Sequence, residues 1–162
     1  MKQFAGDFSD YKFYNSENGG SFTKYNSLDG LTTLELSDDA ANAYYSKMRI
    51  PTKEECEELL AGTTYAWIDN YNGTNVNGCI FTSKVDETKS IFVPAASIII
   101  DGIIEDLGIF ASLWSSSLYK SIVTGKYTGA YYLNSESGIS GIPNGYRYFG
   151  MPVRGVKIPI ES

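Results

Sequence analysis

Chemistry at neutral pH needs side chains that exchange protons, attack carbonyls or hold metals, and this chain has few of them in workable patterns. It contains no histidine, which removes the commonest general base, the commonest metal ligand and both usual nucleophilic triads. Its two cysteines, Cys56 and Cys79, make no CxxC or metal-spaced set. The densest carboxylate cluster is Glu54, Glu57 and Glu58, and clustered carboxylates can run acid/base catalysis. On a short amphipathic helix, though, the simplest role for such residues is a solvated face. These residues therefore lead us to expect no catalytic machinery, no cofactor and no metal site.

The totals narrow the partners. The net charge is −6, the wrong sign for a protein whose main partner is nucleic acid. Beyond residue 112 the balance reverses, with Lys120, Lys126, Arg147, Arg154 and Lys157 against Glu136 and Glu161. A mildly basic tip on an acidic body can steer an acidic partner, but screening over about 10 Å makes this weak. Uneven surface charge with no role fits equally well. A chain of 162 residues reads as one domain, residues 1–162, burying roughly 70% of its unfolded surface. No apolar run approaches ~18 residues, and residues 1–7 have neither a basic nor an apolar signal region, so neither direct membrane insertion nor a signal peptide is expected. Phe4, Phe8, Tyr11, Phe13 and Tyr14 crowd the front of the chain. They suggest the C-terminal domain of a longer protein.

Several elements are legible. Asn18-Gly19-Gly20 and Asp29-Gly30 signal turns among short strands in residues 1–36. Ser37, followed by Asp38 and Asp39, is the expected N-cap of a first helix ending near Tyr44 and Tyr45. Thr52 and Glu55 predict a capping box for a second helix that Gly62 stops, with Cys56, Leu59 and Leu60 as its apolar stripe. Strands follow at residues 64–68, with Trp67 as a core anchor, then at 79–84 and 90–96. Ile98-Ile99-Ile100, Asp101-Gly102 and Ile103-Ile104 predict a tight hairpin. Both cysteines read as small buried apolar groups, with a disulfide between them left open. The pattern is α+β.

Residues 113–157 are different. From Trp114-Ser115-Ser116-Ser117 to Val153-Arg154-Gly155-Val156 the chain is dominated by Tyr, Ser and Gly, and no periodicity lasts more than a few residues. This segment reads as something displayed by ordered ends. Tyr gives large, rigid, amphipathic contact area, and Ser and Gly give adaptable contacts, the mixture that antibody paratopes use. Tyr131 and Leu133 are expected inward, alternating with Tyr132 and Asn134. Trp114 is expected as a core anchor, and Ser115 to Ser117 as partners for backbone groups in an irregular loop. Arg154 is expected to pair with a carboxylate or cap carbonyls beneath the binding face, and Gly150 and Gly155 to mark bulges or close backbone approach.

Arg49-Ile50-Pro51-Thr52-Lys53-Glu54-Glu55, then Asn77-Gly78, Ile91-Phe92-Val93-Pro94-Ala95-Ala96, Leu113-Trp114-Ser115-Ser116-Ser117 and Val153-Arg154-Gly155-Val156 resemble, in this order, bacterial domains of the C-type lectin fold. Such domains occur in formylglycine-generating sulfatase-modifying proteins and in Fibrobacter/Bacteroides surface domains. The run W-S-S-S-L, A-Y-x-L-N, R-Y-x-G, V-R-G-V further resembles the variable region of proteins diversified by diversity-generating retroelements. The resemblance implies a C-type lectin fold, with two short helices, short antiparallel strands and long loops. It also implies a variable ligand-binding region at 113–157, rewritten at asparagine-type codons. The sites expected to vary are Tyr119, Ile122, Thr124, Tyr127, Thr128, Gly129, Tyr132, Ile139, Gly141, Pro143, Gly145, Tyr146, Tyr148 and Phe149. The implied function is non-enzymatic recognition of a protein or glycan receptor on a cell surface, by a phage tail tip or a bacterial adhesin facing the outside of a cell or virion.

Three alternatives stay open. A carbohydrate-binding lectin is one, although Ile142-Pro143-Asn144 and Trp114-Ser115-Ser116 lack the acidic and amide groups of the calcium-dependent sets. A formylglycine-generating-type oxidase is another, although no cysteine follows Cys79. The third is a structural or pilus-tip module without a specific ligand.

Overall fold

The computed structural model describes residues 11–17 and 20–159, so Phe4, Phe8, Asn18 and Gly19 of the sequence reading lie outside the described residues. The architecture is α+β, with two short α-helices and many short antiparallel strands in small open sheets. A two-stranded hairpin, β1 (Tyr14–Asn15) and β2 (Ser21–Phe22), precedes the first helix.

That helix, α1, spans Ala40–Tyr44, and its N-cap is Asp39 rather than the expected Ser37. Ser37 belongs instead to a preceding 3-10 turn, Leu36–Asp38. Asp39 takes over because its carboxylate does more than cap. It accepts from the backbone amides of Ala41 (2.8 Å) and Asn42 (3.1 Å) and, across the fold, from Ile50 (2.7 Å). One buried group thereby fixes where the chain re-enters after β3 (Met48–Arg49).

The second helix, α2 (Lys53–Gly62), has the predicted capping box. Thr52 Oγ1 accepts from Glu55 N (3.3 Å), and the Glu55 carboxylate accepts from Thr52 N (2.9 Å). The Arg49 guanidinium grips the same carboxylate with two bonds of 2.6 Å each. The spacing of Arg49, Thr52 and Glu55 therefore has a local cause: one carboxylate starts the helix and anchors the strand before it.

β4 (Thr63–Ile68), β5 (Gly78–Ser83) and β6 (Ser90–Pro94) form one antiparallel sheet in that order. β7 (Ile98–Ile100) and β8 (Ile103–Glu105) form the predicted hairpin, with Asp101 and Gly102 both at positive φ (50° and 73°) as a two-residue turn of this hand requires. β9 (Ala111–Tyr119) pairs with β10 (Gly129–Glu136), which also carries β11 (Ile139–Gly141) and β12 (Asn144–Tyr146). β13 (Val156–Lys157) returns to β3.

The core lies where α2 meets both larger sheets. Cys56 of α2, Cys79 and Phe81 of β5, Val93 of β6, Ala111 and Leu113 of β9 and Leu133 of β10 pack together, with Leu59, Leu60 and Trp67 against them. Both cysteines are buried free thiols, which closes the disulfide alternative.

The expectation of a loop-like displayed segment is corrected here. Much of residues 113–157 is sheet, and β9 and β10 are its centre. The alternation was hidden because β9 is buried on both faces and many buried positions in the pair are small or polar: Ala111, Ser112, Ser115, Ala130 and Ser135 are all buried. Ser115 to Ser117 lie in a strand rather than an irregular loop, yet they do satisfy backbone groups. Ser115 Oγ donates to Tyr131 O (2.8 Å), Ser116 Oγ to Pro51 O (3.3 Å), and Ser117 Oγ accepts from Lys53 N (2.9 Å). The outer edge of β9 is closed by Leu34, Pro51 and Pro152, which exchange backbone bonds with Ser116 and Trp114. Close approach explains both late glycines: a Cβ at Gly150 would sit 3.0 Å from Ile99 Cβ, and one at Gly155 2.9 Å from Met48 Cβ.

Replacing Asp39 by Ala removes a cap and strands the Ile50 amide. We expect a loss of about 2–4 kcal/mol in urea unfolding, against about 1 kcal/mol for an ordinary cap.

Candidate functional site

The site is built at one end of the β9–β10 sheet. β9 ends at Tyr119, opposite Gly129, and Gly129 in turn pairs with Tyr146 of β12. The loop of residues 120–128 bridges β9 and β10. β12 runs straight into Arg147, Tyr148 and Phe149. Tyr119, Thr128, Gly129, Gly145, Tyr146 and Phe149 line one depression of about 370 Å³, joined by Ser121 and Asn144. Six residues singled out in the sequence therefore meet in one place.

Beside it three rings form a cluster. Tyr146 stacks on Tyr148 (centroids 5.3 Å apart, planes 8° apart), and Phe149 sets its ring nearly perpendicular to both, at 5.8 and 5.1 Å. Half of the Tyr146 surface remains accessible (50%). On the adjoining loop Ile122 is almost fully exposed (93%), Thr124 is exposed, and the half-buried Tyr127 ring has Lys120 Nζ 5.6 Å from its centroid. Pro143 is exposed, and its carbonyl accepts from Tyr132 N at 3.0 Å.

Other expected residues do not join the depression. Ile139 and Gly141 lie on β11, opposite Glu136 and Asn134. At ~3.3 Å per residue that end of β10 is about 20 Å from Gly129. Tyr132 is half-buried, with Trp114 edge-on at 5.7 Å, and burial pushes its hydroxyl pKa up. Tyr131, expected inward, is only half-buried; its ring stands edge-on to Tyr119 at 5.6 Å, with Lys53 Nζ 5.1 Å from its centroid. A register shift between Ala130 and Tyr132 breaks simple alternation and turns both tyrosines to the margins, while Leu133 is buried as expected. Gly129 cannot display a side chain, because a Cβ there would lie 2.8 Å from the Gly145 carbonyl oxygen. At Gly145 a Cβ would press on the Phe149 and Tyr132 rings at 3.3 Å. Both glycines serve close strand approach instead.

The residue that sequence reasoning missed is Arg147. It is buried (8% accessible), although flanked by Tyr146 and Tyr148. Its Nη1 donates to Tyr25 O (3.1 Å) and its Nη2 to Tyr127 O (2.6 Å), and the guanidinium lies 3.9 Å from the Phe22 ring centroid. It thus pins the 120–128 loop and the early chain to the base of the aromatic cluster. The early chain is held independently: Lys12 and Lys24 hydrogen-bond Asp38, keeping its carboxyl well below the usual range, and Tyr25 Oη donates to the same group at 2.7 Å. Ser121 and Asn144 were also missed, though they sit inside the same Tyr/Ser/Gly-rich run. Trp114 is half-buried and donates its Nε1–H to Phe149 O at 3.3 Å, supporting the cluster from below. Arg154 caps a carbonyl, Phe92 O at 2.9 Å, and neither residue lines the depression.

The depression's lining holds no Cys, Asp, Glu, Lys or Arg, and its titratable groups are the Tyr119 and Tyr146 hydroxyls. Burial pushes both Cys56 and Cys79 up to about 11, so each is a thiol at neutral pH. Among the described residues no three His, Cys, Asp or Glu side chains converge as a metal-holding group, and no helix is long and apolar enough to cross a membrane. Comparison with protein-family profiles, curated proteins and solved structures finds no match to this chain.

Two outcomes check this geometry. Gly129→Ala should cost about 1–3 kcal/mol in stability through the backbone clash, whereas Gly141→Ala, with nothing within 4 Å of the new methyl, should stay within ~0.5 kcal/mol in the same denaturation assay. An aromatic disulfide reagent at pH 8 should leave both thiols of the native protein unreacted and modify both rapidly in denaturant.

Proposed function

We propose that the protein is a non-enzymatic binding domain that recognises a cell-surface receptor through the Tyr119–Thr128–Tyr146–Phe149 face. In this reading the domain has the C-type lectin fold and is a variable protein of a diversity-generating retroelement, carried on a phage tail tip or a bacterial surface. The observation that carries the reading is the gathering of residues 119, 128, 129, 145, 146 and 149, from three separate stretches of the chain, around one depression beside a stacked tyrosine pair.

The physical case is compositional and geometric together. Tyr146 and Tyr148 supply rigid amphipathic area whose ordering cost is already met by stacking on each other. Ser121, Thr124, Thr128 and Asn144 supply small polar groups around them. The exposed positions point away from the Cys56–Phe81–Leu133 core, so their identity can change with little effect on folding. A dozen such side chains approach the ~800 Å² per partner of an ordinary protein interface, more than a monosaccharide needs.

A library randomised at Ser121, Ile122, Thr124, Asn144 and Tyr146, displayed on yeast and selected against purified hen lysozyme, tests the reading. Folded clones that bind at micromolar affinity or better, with melting temperatures near that of the parent, are the expected result. A library whose members mostly fail to fold would contradict it.

A further inference from the structure

The hairpin of β7 and β8 is poorly covered for its composition. It pairs Ile98 with Glu105, Ile99 with Ile104 and Ile100 with Ile103, so every position except Glu105 is isoleucine. None of them is buried, and Ile103 and Ile104 are 60% and 61% accessible. Leu107, just beyond the hairpin, is exposed too. A two-stranded ribbon is marginal in water, and further strands are what stabilise it. On the β7 side the extension is one bridge: Ile99 N donates to Gly150 O at 2.8 Å, and Gly150 N donates to Ile99 O at 2.9 Å.

That bridge fixes how the opposite edge is presented. Because Ile99 turns both backbone groups toward Gly150, Ile99 and Ile104 are a non-hydrogen-bonded pair, and Ile104 turns its own N–H and C=O outward from β8. Among the described residues neither group has a backbone partner. β8 carries neither of the usual guards of an open edge, lysine or proline.

This edge is complementary to itself. A second copy paired antiparallel about Ile104 exchanges both backbone bonds of that residue, and residues directly opposite each other share a face. One face then carries a row of Ile99, Ile104 and the same two residues of the second copy. On the other face Ile98 and Glu105 continue into Ile103 and Ile100 of the second copy. The acids do not oppose one another in this register, a juxtaposition that would weaken pairing. Glu105 comes opposite Ile103, Asp106 opposite Gly102 and Asp101 opposite Leu107.

We propose that two copies of this chain associate through β8, making one antiparallel sheet in the order β7–β8–β8–β7. The contact is small beside the ~800 Å² per partner of a standard interface, so the dimer is weak, with a dissociation constant on the order of 10–100 μM. None of these hairpin residues lines the depression, and the pairing does not depend on the receptor-binding reading.

Sedimentation equilibrium of the whole chain from about 5 to 500 μM tests it, and a reversible monomer–dimer equilibrium within that range is expected. Ile104→Lys and Ile103→Lys, both at exposed positions, should stay monomeric throughout, with melting temperatures within ~2 °C of the parent's in dilute solution. Val85→Lys makes the same charge change at an exposed aliphatic residue outside the hairpin and should dimerise as the parent does. A parent that remains monomeric at ~500 μM overturns the proposal and leaves the edge to a strand of another protein. Dimers that survive both hairpin substitutions, or that Val85→Lys abolishes equally, overturn it as well.

Discussion

The aromatic face depends on one charged side chain that points the wrong way. Arg147 sits between the exposed Tyr146 and the half-buried Tyr148, but its own guanidinium is buried, donating to carbonyls of the early chain and of the 120–128 loop. Burying a cation is costly, and only a group with several planar donors can offset the cost by bonding two distant backbone segments while lying against the Phe22 ring. A lysine at this position would have neither the fork nor the flat face. β12 ends at Tyr146, and a turn closed by Phe149 N donating to Tyr146 O at 3.0 Å sets the Tyr148 ring beside that of Tyr146.

Beneath this clamp the frame is unusual in what it buries. The β9–β10 pair, with β9 buried on both faces, buries Ser112, Ser115, Ser116, Ser117 and Ser135 as well as Leu113, Leu118 and Leu133. Each of Ser115, Ser116 and Ser117 hydrogen-bonds a specific backbone group, so these serines specify register as well as occupying space. The larger apolar burial is delegated to α2, β5 and β6. Stability is therefore concentrated away from the exposed tyrosines, and this separation is what a surface of changeable identity requires.

How much of this was legible follows from which signals are local. The Thr52–Glu55 capping box, the Cys56–Leu59–Leu60 stripe and the Asp101-Gly102 hairpin were readable because their causes lie within a few residues. The first helix was misjudged by two positions, because Asp39 is chosen as its cap by a bond to Ile50 that no local pattern reveals. Beyond the Tyr131–Asn134 alternation, the β9–β10 sheet was read as loop because buried serine has no hydropathic signature. Gly129 and Gly145 looked like adaptable surface positions, but their backbones are pressed together across β10 and β12. Arg147 was invisible for the same reason, since its partners, Tyr25 and Tyr127, lie far away in sequence. Ile139 and Gly141 shared the composition of the site without sharing its place.

The central claim is that the aromatic face is interchangeable while the buried arginine beneath it is not. Urea unfolding of Tyr146→Ser and Arg147→Met, two substitutions at adjacent positions, tests it directly. The account predicts a change of under ~1 kcal/mol for the tyrosine and a loss of about 3–5 kcal/mol for the arginine, whose removal leaves a buried carbonyl, Tyr25 O, and a part-buried one, Tyr127 O, without its bonds. Equal losses at both positions, or a larger one at Tyr146, would contradict it.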